Sequence, residues 1–361
     1  MVGGAIAVLV VAVLGAAFAL SGGDDAKPTA VKRTTTTTVA PTTTKPAPVT
    51  TTTEPPTGPV APLTGLRVAD PGLVNRAALA VKVDNLDAPG ETAVPQSGLS
   101  NADIVFEEIV EGNITRLVGI FHSHPAGRVG PVRSARTTDL QILPQFGRPL
   151  LAWSGGNAGV TAAVHASPSV IDMGFDQQTS AYARDHSRKA PHNLYVQADE
   201  LWERAPAGLP APHNLFVYRA SGEKNPPNAT KAAGVDINWG GTIQAPASWR
   251  WDGKLRLYLR SQRGRPHMDA ANNTQLSAKN VVVLITEYGQ SAADSRSPEA
   301  HTVGGGEAFV YTNGRVIHGH WARPVVEKPG FLLDDANHAI KLSPGQTWIE
   351  LPRAGNATTV P

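Results

Sequence analysis

Pro149-Leu-Leu-Ala-Trp153, then Ser154-Gly-Gly-Asn157, then a run of small residues through Val164, reads as a buried strand, a glycine turn and a helix. That succession is the grammar of an α/β fold. The glycines allow tight turning and close approach of a ligand, but Ser-Gly-Gly-Asn matches neither a Walker loop nor a dinucleotide fingerprint. Upstream, Ser134 is a good N-cap, and the pattern Leu140, Ile142, Leu143 predicts one short helix ending before Pro144. Another helix is expected over Ala198 to Arg204, directly after Pro191-His-Asn193. The three loops that precede these helices would converge at one sheet edge, the usual place for a site in such folds.

Further upstream, Ile104 to Glu111 and Ile114 to Phe121 are strand-like runs joined by Gly112-Asn113, which predicts a hairpin with a two-residue turn. A turn that tight sets Ile109 opposite Arg116. Glu107, Glu111 and Arg116 then share one face, and Phe106, Val110, Leu117 and Phe121 share the other with Glu108. Residues 61–222 are therefore expected to form an α/β (α+β) domain. From about residue 223 to 357 the pattern changes to short strands: Ser248 to Trp251, Leu255 to Leu259, Val281 to Ile285, Ala308 to Tyr311, Val316 to His318 and Trp348 to Leu351. Asp252-Gly253 and Asn313-Gly314 are hairpin signals between them, so this second domain reads as mostly β.

The chemistry concentrates in two segments, Val129-Gly-Pro-Val-Arg-Ser-Ala-Arg-Thr-Thr138 and Asp185-His-Ser-Arg-Lys-Ala-Pro-His-Asn-Leu-Tyr195. Arginines at a helix start favour phosphate or carboxylate, because unpaired N–H groups, the helix dipole and guanidinium forks all attract anions. Arg116, Arg133, Arg136, Arg188, His192 and Asn193 are the candidate ligand-binding residues, with Arg184, His186 and Lys189 beside them. The structural alternative is that these cations pair with Asp139, Asp176 and Asp185. Glu107 or Glu108 could supply a base or a metal ligand near the arginines, against the alternative of a salt-bridged sheet face. His267 and Asp269, two apart on an extended chain, could furnish a metal or acid/base pair or hold a loop by hydrogen bonding. His301, His318 and His320 lack any zinc-ligand framework, Trp321 and Trp348 read as core, and no catalytic triad is legible. Neither a metal nor a cofactor is expected.

Lys+Arg 32 against Asp+Glu 30 gives a formal net charge of +2, which excludes a general attraction to nucleic acid or membrane surfaces. Any anion specificity must be local. Val2 to Leu20 is an apolar or small-residue run long enough to cross a bilayer, so residues 1–21 read as a signal anchor or a signal peptide. The tract over Lys27 to Pro59 is built from threonine and proline, and residues 22–60 are expected to be a disordered spacer of about 100 Å at most if extended at roughly 3.1 Å per residue. About 300 residues remain for folded structure. Cysteine is absent, which does not argue against export for domains of this size.

Several stretches together resemble the YerB-like lipoprotein family, whose domain of unknown function 3048 has an N-terminal and a C-terminal part. They are Pro62-Leu-Thr-Gly-Leu66, Ala80-Val-Lys-Val-Asp-Asn85, Pro95-Gln-Ser-Gly-Leu-Ser-Asn-Ala-Asp-Ile-Val-Phe-Glu107, Ile114-Thr-Arg-Leu117, Gly130-Pro-Val-Arg-Ser-Ala-Arg136 and Ser187-Arg-Lys-Ala-Pro-His-Asn-Leu-Tyr195. Pro266-His-Met-Asp269, Asn280-Val-Val-Val283 and Gly345-Gln-Thr-Trp-Ile349 extend the likeness to about residue 352. The resemblance implies an exported, membrane-tethered envelope protein and brings no settled activity. Lipoproteins carry an acylated cysteine after the apolar run, whereas this chain has Ser21-Gly-Gly-Asp-Asp25 there. Two functional classes stay open: a module binding an acidic cell-wall polymer or an envelope protein, and an enzyme acting on phosphate-linked or polyprenyl-linked glycans. Binding is the expectation, since nothing here has the specificity of a catalytic signature. A carboxylate left unbridged among the arginines would favour catalysis.

Overall fold

The computed structural model describes residues 57–361 except positions 242 and 244, so the expected anchor over 1–21 and nearly all of the 22–60 spacer lie outside the described residues. Among the described residues no helix is long and apolar enough to cross a membrane. The last residues assigned to the spacer make contacts with the folded part: Val60 forms a bridge with Arg67, whose Nη1 donates to Gly58 O at 2.9 Å.

Strands β1 (Leu79–Asp84), β2 (Ile104–Ile109) and β3 (Thr115–Phe121) form the middle of the fold, with β3 antiparallel to both others. The β2–β3 turn takes three residues, Glu111–Asn113: Val110 N bonds Ile114 O, Glu111 leaves the strand, and Gly112 (φ 67°) and Asn113 (φ 56°) are both in the left-handed region. Ile109 therefore opposes Thr115 and Glu108 opposes Arg116. This is one residue away from the register of a two-residue turn, and a slip of one exchanges the faces. Glu108 and Arg116 share the face of Phe106 and Val118. Glu107 points with Val105, Ile109 and Leu117 to the other.

Along the chain follow β4 (Arg128–Val129), α1 (Thr137–Ile142), β5 (Leu150–Ala152), α2 (Ala158–Ala166), β6 (Ile171–Asp172), β7 (Tyr182–Arg184), β8 (Leu194–Gln197) and α3 (Ala198–Glu203). The strand, turn and helix read from Pro149 onward are present, with Asn157 capping α2 by accepting from Val160 N at 2.8 Å. Only β5, α2 and β6 make a strand–helix–strand crossover, with β1 also parallel to β5. The α/β expectation for residues 61–222 shrinks to that unit. Its other strand pairs within this half are antiparallel, α1 and α3 have six residues each, and the described chain is mostly β with few helices.

The later chain supplies β9 (Thr230–Lys231), β10 (Gly234–Ile237), β11 (Ala247–Asp252), β12 (Leu257–Gln262), β13 (Asn280–Leu284), β14 (Gly304–Thr312), β15 (Arg315–Arg323), β16 (Phe331–Asp334), β17 (Thr347–Glu350) and β18 (Ala357–Val360). Asn313 (φ 52°) and Gly314 (φ 71°) close β14 onto β15 in a two-residue turn, as their sequence predicts. Asp252-Gly253 instead begins a longer loop, in which Asp252 Oδ1 accepts from Lys254 N and Leu255 N.

One eleven-stranded sheet runs β9-β15-β14-β13-β17-β2-β3-β1-β5-β6, with β16 on the side of β15. Strand β17 lies parallel to both β2 and β13 and so joins early chain to late chain. The boundary expected near residue 222 falls between α3 and β9, and this sheet draws strands from both sides of it. Its central strands are buried on both faces, which is why Val281-Val-Val283 and Ile104-Val-Phe106 read as continuous apolar runs rather than alternating ones. On one face Leu79, Val81 and Trp348 pack against β8, α3 and the second sheet formed around β10, β11 and β12. On the other, Ala80, Ile104, Val118 and Ile349 pack beneath α1, α2 and the segment containing Leu215.

Candidate functional site

Arg133 and Arg136 stand before α1 as the sequence suggests, but the helix starts at Thr137 with Arg136 as N-cap in place of Ser134. Asp139 Oδ2 accepts from Arg136 N at 2.7 Å, and Asp139 Oδ1 accepts from the buried Lys82 Nζ at 2.8 Å. A carboxylate of the chain itself thus occupies the helix start, and no external anion is required to satisfy it. Arg136 grips Glu111, Nε to Oε1 at 2.8 Å and Nη2 to Oε2 at 2.5 Å. Burial would raise the Glu111 carboxyl, but the bonds from Arg136 and Ser297 outweigh it and hold it at about 2. Arg116 donates from Nη1 to Ser134 O at 2.8 Å, and burial beside Arg136 lowers its guanidinium to about 10. Asp139, Asp176 and Asp185 are not the side-chain partners of these arginines; they pair with Lys82, His165 and Arg128.

The loops do converge, on Asp84 at the carboxyl end of β1. Arg133 Nε lies 3.0 Å from Asp84 Oδ2, and His192 Nδ1 lies 2.7 Å from the same oxygen. Ser154, in the glycine turn after β5, donates its N–H to Arg133 O at 3.0 Å. The far nitrogen of His192 meets Glu91 Oε1 at 2.9 Å. The Asp84 hydrogen bond outweighs partial burial and, with Glu91, raises the His192 imidazole above its ordinary value. Burial pushes Asp84 upward, yet the His192 bond and the Arg133 and Arg116 charges hold it below the usual carboxylate range. Asn193 is spent on its own loop: its Oδ1 accepts from Arg184 at 2.9 Å and its Nδ2 donates to Arg188 O at 3.2 Å.

Beside this chain of charges opens a cavity of about 860 Å³ whose walls include Arg188, His192, Tyr195, Glu91, Arg128 and Lys189. Arg188 Nη1 donates to Pro95 O at 2.8 Å and to Tyr195 Oη at 2.7 Å, both neutral acceptors. Among the described residues no carboxylate pairs with Arg188 or Lys189. Arg128 is neutralised by Asp185 at 3.2 Å and lies over the Tyr195 ring at 3.6 Å. Of the six ligand-binding candidates, Arg188 and His192 line the cavity, whereas Arg116, Arg133, Arg136 and Asn193 support the frame behind it. Sequence reasoning passed over Asp84, Glu91, Arg128 and Tyr195 as site residues. Asp84 and Tyr195 lie inside the quoted motifs, and no local signal marks Glu91 or Arg128.

The candidate bases are bridged. Glu108 pairs with Lys82, and burial, opposed by that lysine, raises its carboxyl to about 7. Glu107 accepts from Arg260 Nη2 at 2.7 Å, Asn85 Nδ2 at 2.9 Å and Thr115 Oγ1 at 2.7 Å. Asp103 accepts from the backbone N–H groups of His122 and Ser123. His267 is buried between Arg260 Nε at 3.0 Å and Gln96 Oε1 at 2.6 Å, and burial next to Arg260 keeps it neutral. Its Nδ1 accepts, so its Nε2 carries the proton. Asp269 instead pins a turn, taking Gly98 N and Ser100 N at 2.8 Å each. The two residues have different partners, which is the loop-holding reading of that pair. Among the described residues no group of three or more His, Cys, Asp or Glu could hold a metal ion.

A sheet shared between early and late chain, with a cavity walled in part by the Ser187–Tyr195 motif, defines a two-part class, and the motifs are those of one family. The chain belongs to the family described as protein of unknown function DUF3048: its N-terminal domain matches residues 63–211 and its C-terminal domain residues 235–349. A relative is the "Putative lipoprotein YerB" of Bacillus subtilis (strain 168), 29% identical over 299 residues, covering 81% of this chain and 85% of the relative. The crystal structure of the YerB protein from Bacillus subtilis is similar at a TM-score of 0.72 with 27% identity, covering 83% of this chain and 99% of that one.

Proposed function

We propose that this protein is an envelope-located binding module that captures an anionic group, phosphate or carboxylate, in the cavity walled by Arg188, Lys189 and His192. The carrying observation is that the Arg188 guanidinium bonds Pro95 O and Tyr195 Oη and, among the described residues, forms no ion pair, although Glu91 and Asp185 also line the cavity. A preset guanidinium with only Nη1 engaged leaves its Nε and Nη2 donors for a bidentate anion. Arg133 and Arg136, spent on Asp84 and Glu111, set the frame rather than contact the ligand. Glu107 is engaged by Arg260, Glu108 by Lys82 and Asp103 by the backbone N–H groups of His122 and Ser123, which supports binding over catalysis. The relative's description as a lipoprotein and the apolar run Val2 to Leu20 support a membrane-associated, extracytoplasmic location. This sequence holds no cysteine, so a cysteine-linked lipid has no attachment point in it. An acidic cell-wall polymer is the partner of matching charge.

The test is calorimetric titration of residues 54–361, which form one compact unit, with a glycerol-phosphate polymer, with a carboxylate-bearing wall peptide and with lipid-linked glycan precursors, each mixture also assayed for product by mass spectrometry. Arg188→Ala is expected to weaken binding about tenfold or more, the cost of roughly 1.5–3 kcal/mol for a lost charge-assisted hydrogen bond. Equal affinity in the variant would refute the site. Product formation would move the protein to the enzyme class.

A further inference from the structure

The cavity at Arg188 already holds one anionic group, and it belongs to the chain itself. Asp87 to Thr92 form a two-stranded hairpin, Asp87 opposite Thr92 and Ala88 opposite Glu91, and its two-residue turn Pro89-Gly90 uses the left-handed φ of 82° that Gly90 allows. The buried Asp87 fixes the root, with Arg265 at 3.4 Å and Arg263 at 3.5 Å, and Ala93 N donates to Leu86 O at 2.7 Å. From the second strand Glu91 lines the cavity and meets His192 Nε2. The two sides of that contact differ in exposure, 3% for the imidazole and 50% for the carboxylate. Glu91 can therefore leave by turning its side chain into water, whereas His192 stays where it is.

Glu91 stands where an external anion would stand. The His192 bond, with the charges of Lys189 and Arg133, holds its carboxyl below the ordinary value. Arg188, Lys189 and His192 sit on one turn, closed by His192 N to Lys189 O at 3.0 Å and Asn193 Nδ2 to Arg188 O at 3.2 Å. Asp185, the other carboxylate of the wall among the described residues, is taken up by Arg128 at 3.2 Å and by Ser187, from N at 3.0 Å and from Oγ at 2.5 Å. Glu91 is thus the carboxylate that competes for the imidazole. A tethered carboxylate meets its partner at an effective concentration on the order of millimolar and loses no freedom of translation, so a free monocarboxylate, making the same bond, displaces little of it. A phosphate dianion brings a second charge and a third oxygen, which suits a turn carrying three cations. The cavity, at about 860 Å³, has room for more than the ion, so an ester enters as readily as free phosphate.

We propose that Glu91 is a built-in competitor for the anion site: it holds His192 until a phosphate dianion displaces it, and it keeps monocarboxylates out. This rests on the reading that the Arg188 cavity takes an anion. The probes are glycerol 3-phosphate, inorganic phosphate and acetate, each titrated into residues 54–361 and into the Glu91→Ala variant, and followed by NMR of nitrogen-labelled histidine rings. In the wild type, glycerol 3-phosphate should bind saturably, about tenfold or more tighter than acetate, and shift the His192 Nε2 signal. Glu91→Ala should tighten glycerol 3-phosphate and acetate by the same factor, roughly three- to fivefold, because removing an occupant frees the site equally for every ligand that must displace it. A dianion that gains about the square of the acetate factor would mean that Glu91 acts only through space, and overturns the proposal. So does an affinity unchanged by Glu91→Ala while Arg188→Ala weakens binding, a result that leaves the anion reading standing. Failure of every probe to bind either form, or binding indifferent to Arg188→Ala, sinks that reading and the proposal with it. Glycerol 3-phosphate tighter than inorganic phosphate identifies an ester as the source of the dianion and the reverse identifies the free ion; both support the proposal.

Discussion

Replacing Arg260 by methionine tests how the late chain is locked to the early chain. Arg260 on β12 is wholly buried, reaching Glu107 on β2 at 2.7 Å and Glu350 on β17 at 3.3 Å, with its guanidinium 5.5 Å from the Trp249 ring centre and 5.1 Å from that of Trp348. Breaking a buried ion pair by deleting one partner costs about 3–5 kcal/mol, because a charge is stranded without solvent. Two carboxylates are involved, and burial with the neighbouring Glu107 pushes the Glu350 carboxyl well above the ordinary range, which lessens the charge left behind. Glu107 keeps the bonds from Asn85 and Thr115. The lower part of that range, about 3 kcal/mol, is the expected loss, and it corresponds to a Tm lower by about 5 °C for a unit of roughly 300 residues. Differential scanning calorimetry of residues 54–361 gives the number. Adding Glu107→Gln to Arg260→Met should restore more than half of it, since neutral replacement of a whole buried pair is nearly free of cost. A drop below about 2 °C, or no recovery in the double variant, would refute the reasoning.

Arg136→Ala should lower stability by about 1 kcal/mol, a figure discounted because the paired Glu111 carboxylate is partly exposed, while leaving anion affinity within twofold; Arg188→Ala should do the reverse, and titration beside calorimetry separates them. Glu111, held at about 2, contributes stability that is complete above its ordinary value of 4.5 and lost as pH falls toward about 2, so Glu111→Gln should flatten the acid limb of a Tm-against-pH curve. His192 works in the other direction. Its raised value means its contribution is complete below 6.5 and fades as pH rises through the folded-state value; His192→Gln should remove that alkaline decline, and an unchanged slope would contradict the Asp84–His192 pairing.

The hairpin at Gly112 shows where sequence reading stopped. Both strands were legible from their apolar runs, but Gly112 and Asn113 at positive φ suit a turn of either length, and it was Glu111 leaving the strand for the turn that decided which face each glutamate met. Arg133 and Arg136 were similarly visible as a pair of cations, while Asp84 and Glu111, which occupy them, lie 49 and 25 residues away along the chain. Charge identity is local information; charge pairing is not.

What the sequence determined by itself was the inventory: the helices after Asn157 and near Ala198, the Asn313-Gly314 turn, the β-rich late chain and the motif from Ser187 to Tyr195 that carries the cavity. Each depends on residues within one turn or one strand of each other, where backbone preference and side-chain period act directly. Tertiary structure alone decided that β17 would enter between β2 and β13, that Arg260 would sit between Glu107 and Glu350, and that Arg188 would meet the neutral acceptors Pro95 O and Tyr195 Oη. Those outcomes follow from which buried charges lie within reach once the sheet closes, and that distance is set by the packing of segments far apart in the chain, as Arg260 and Glu107 are at 153 residues.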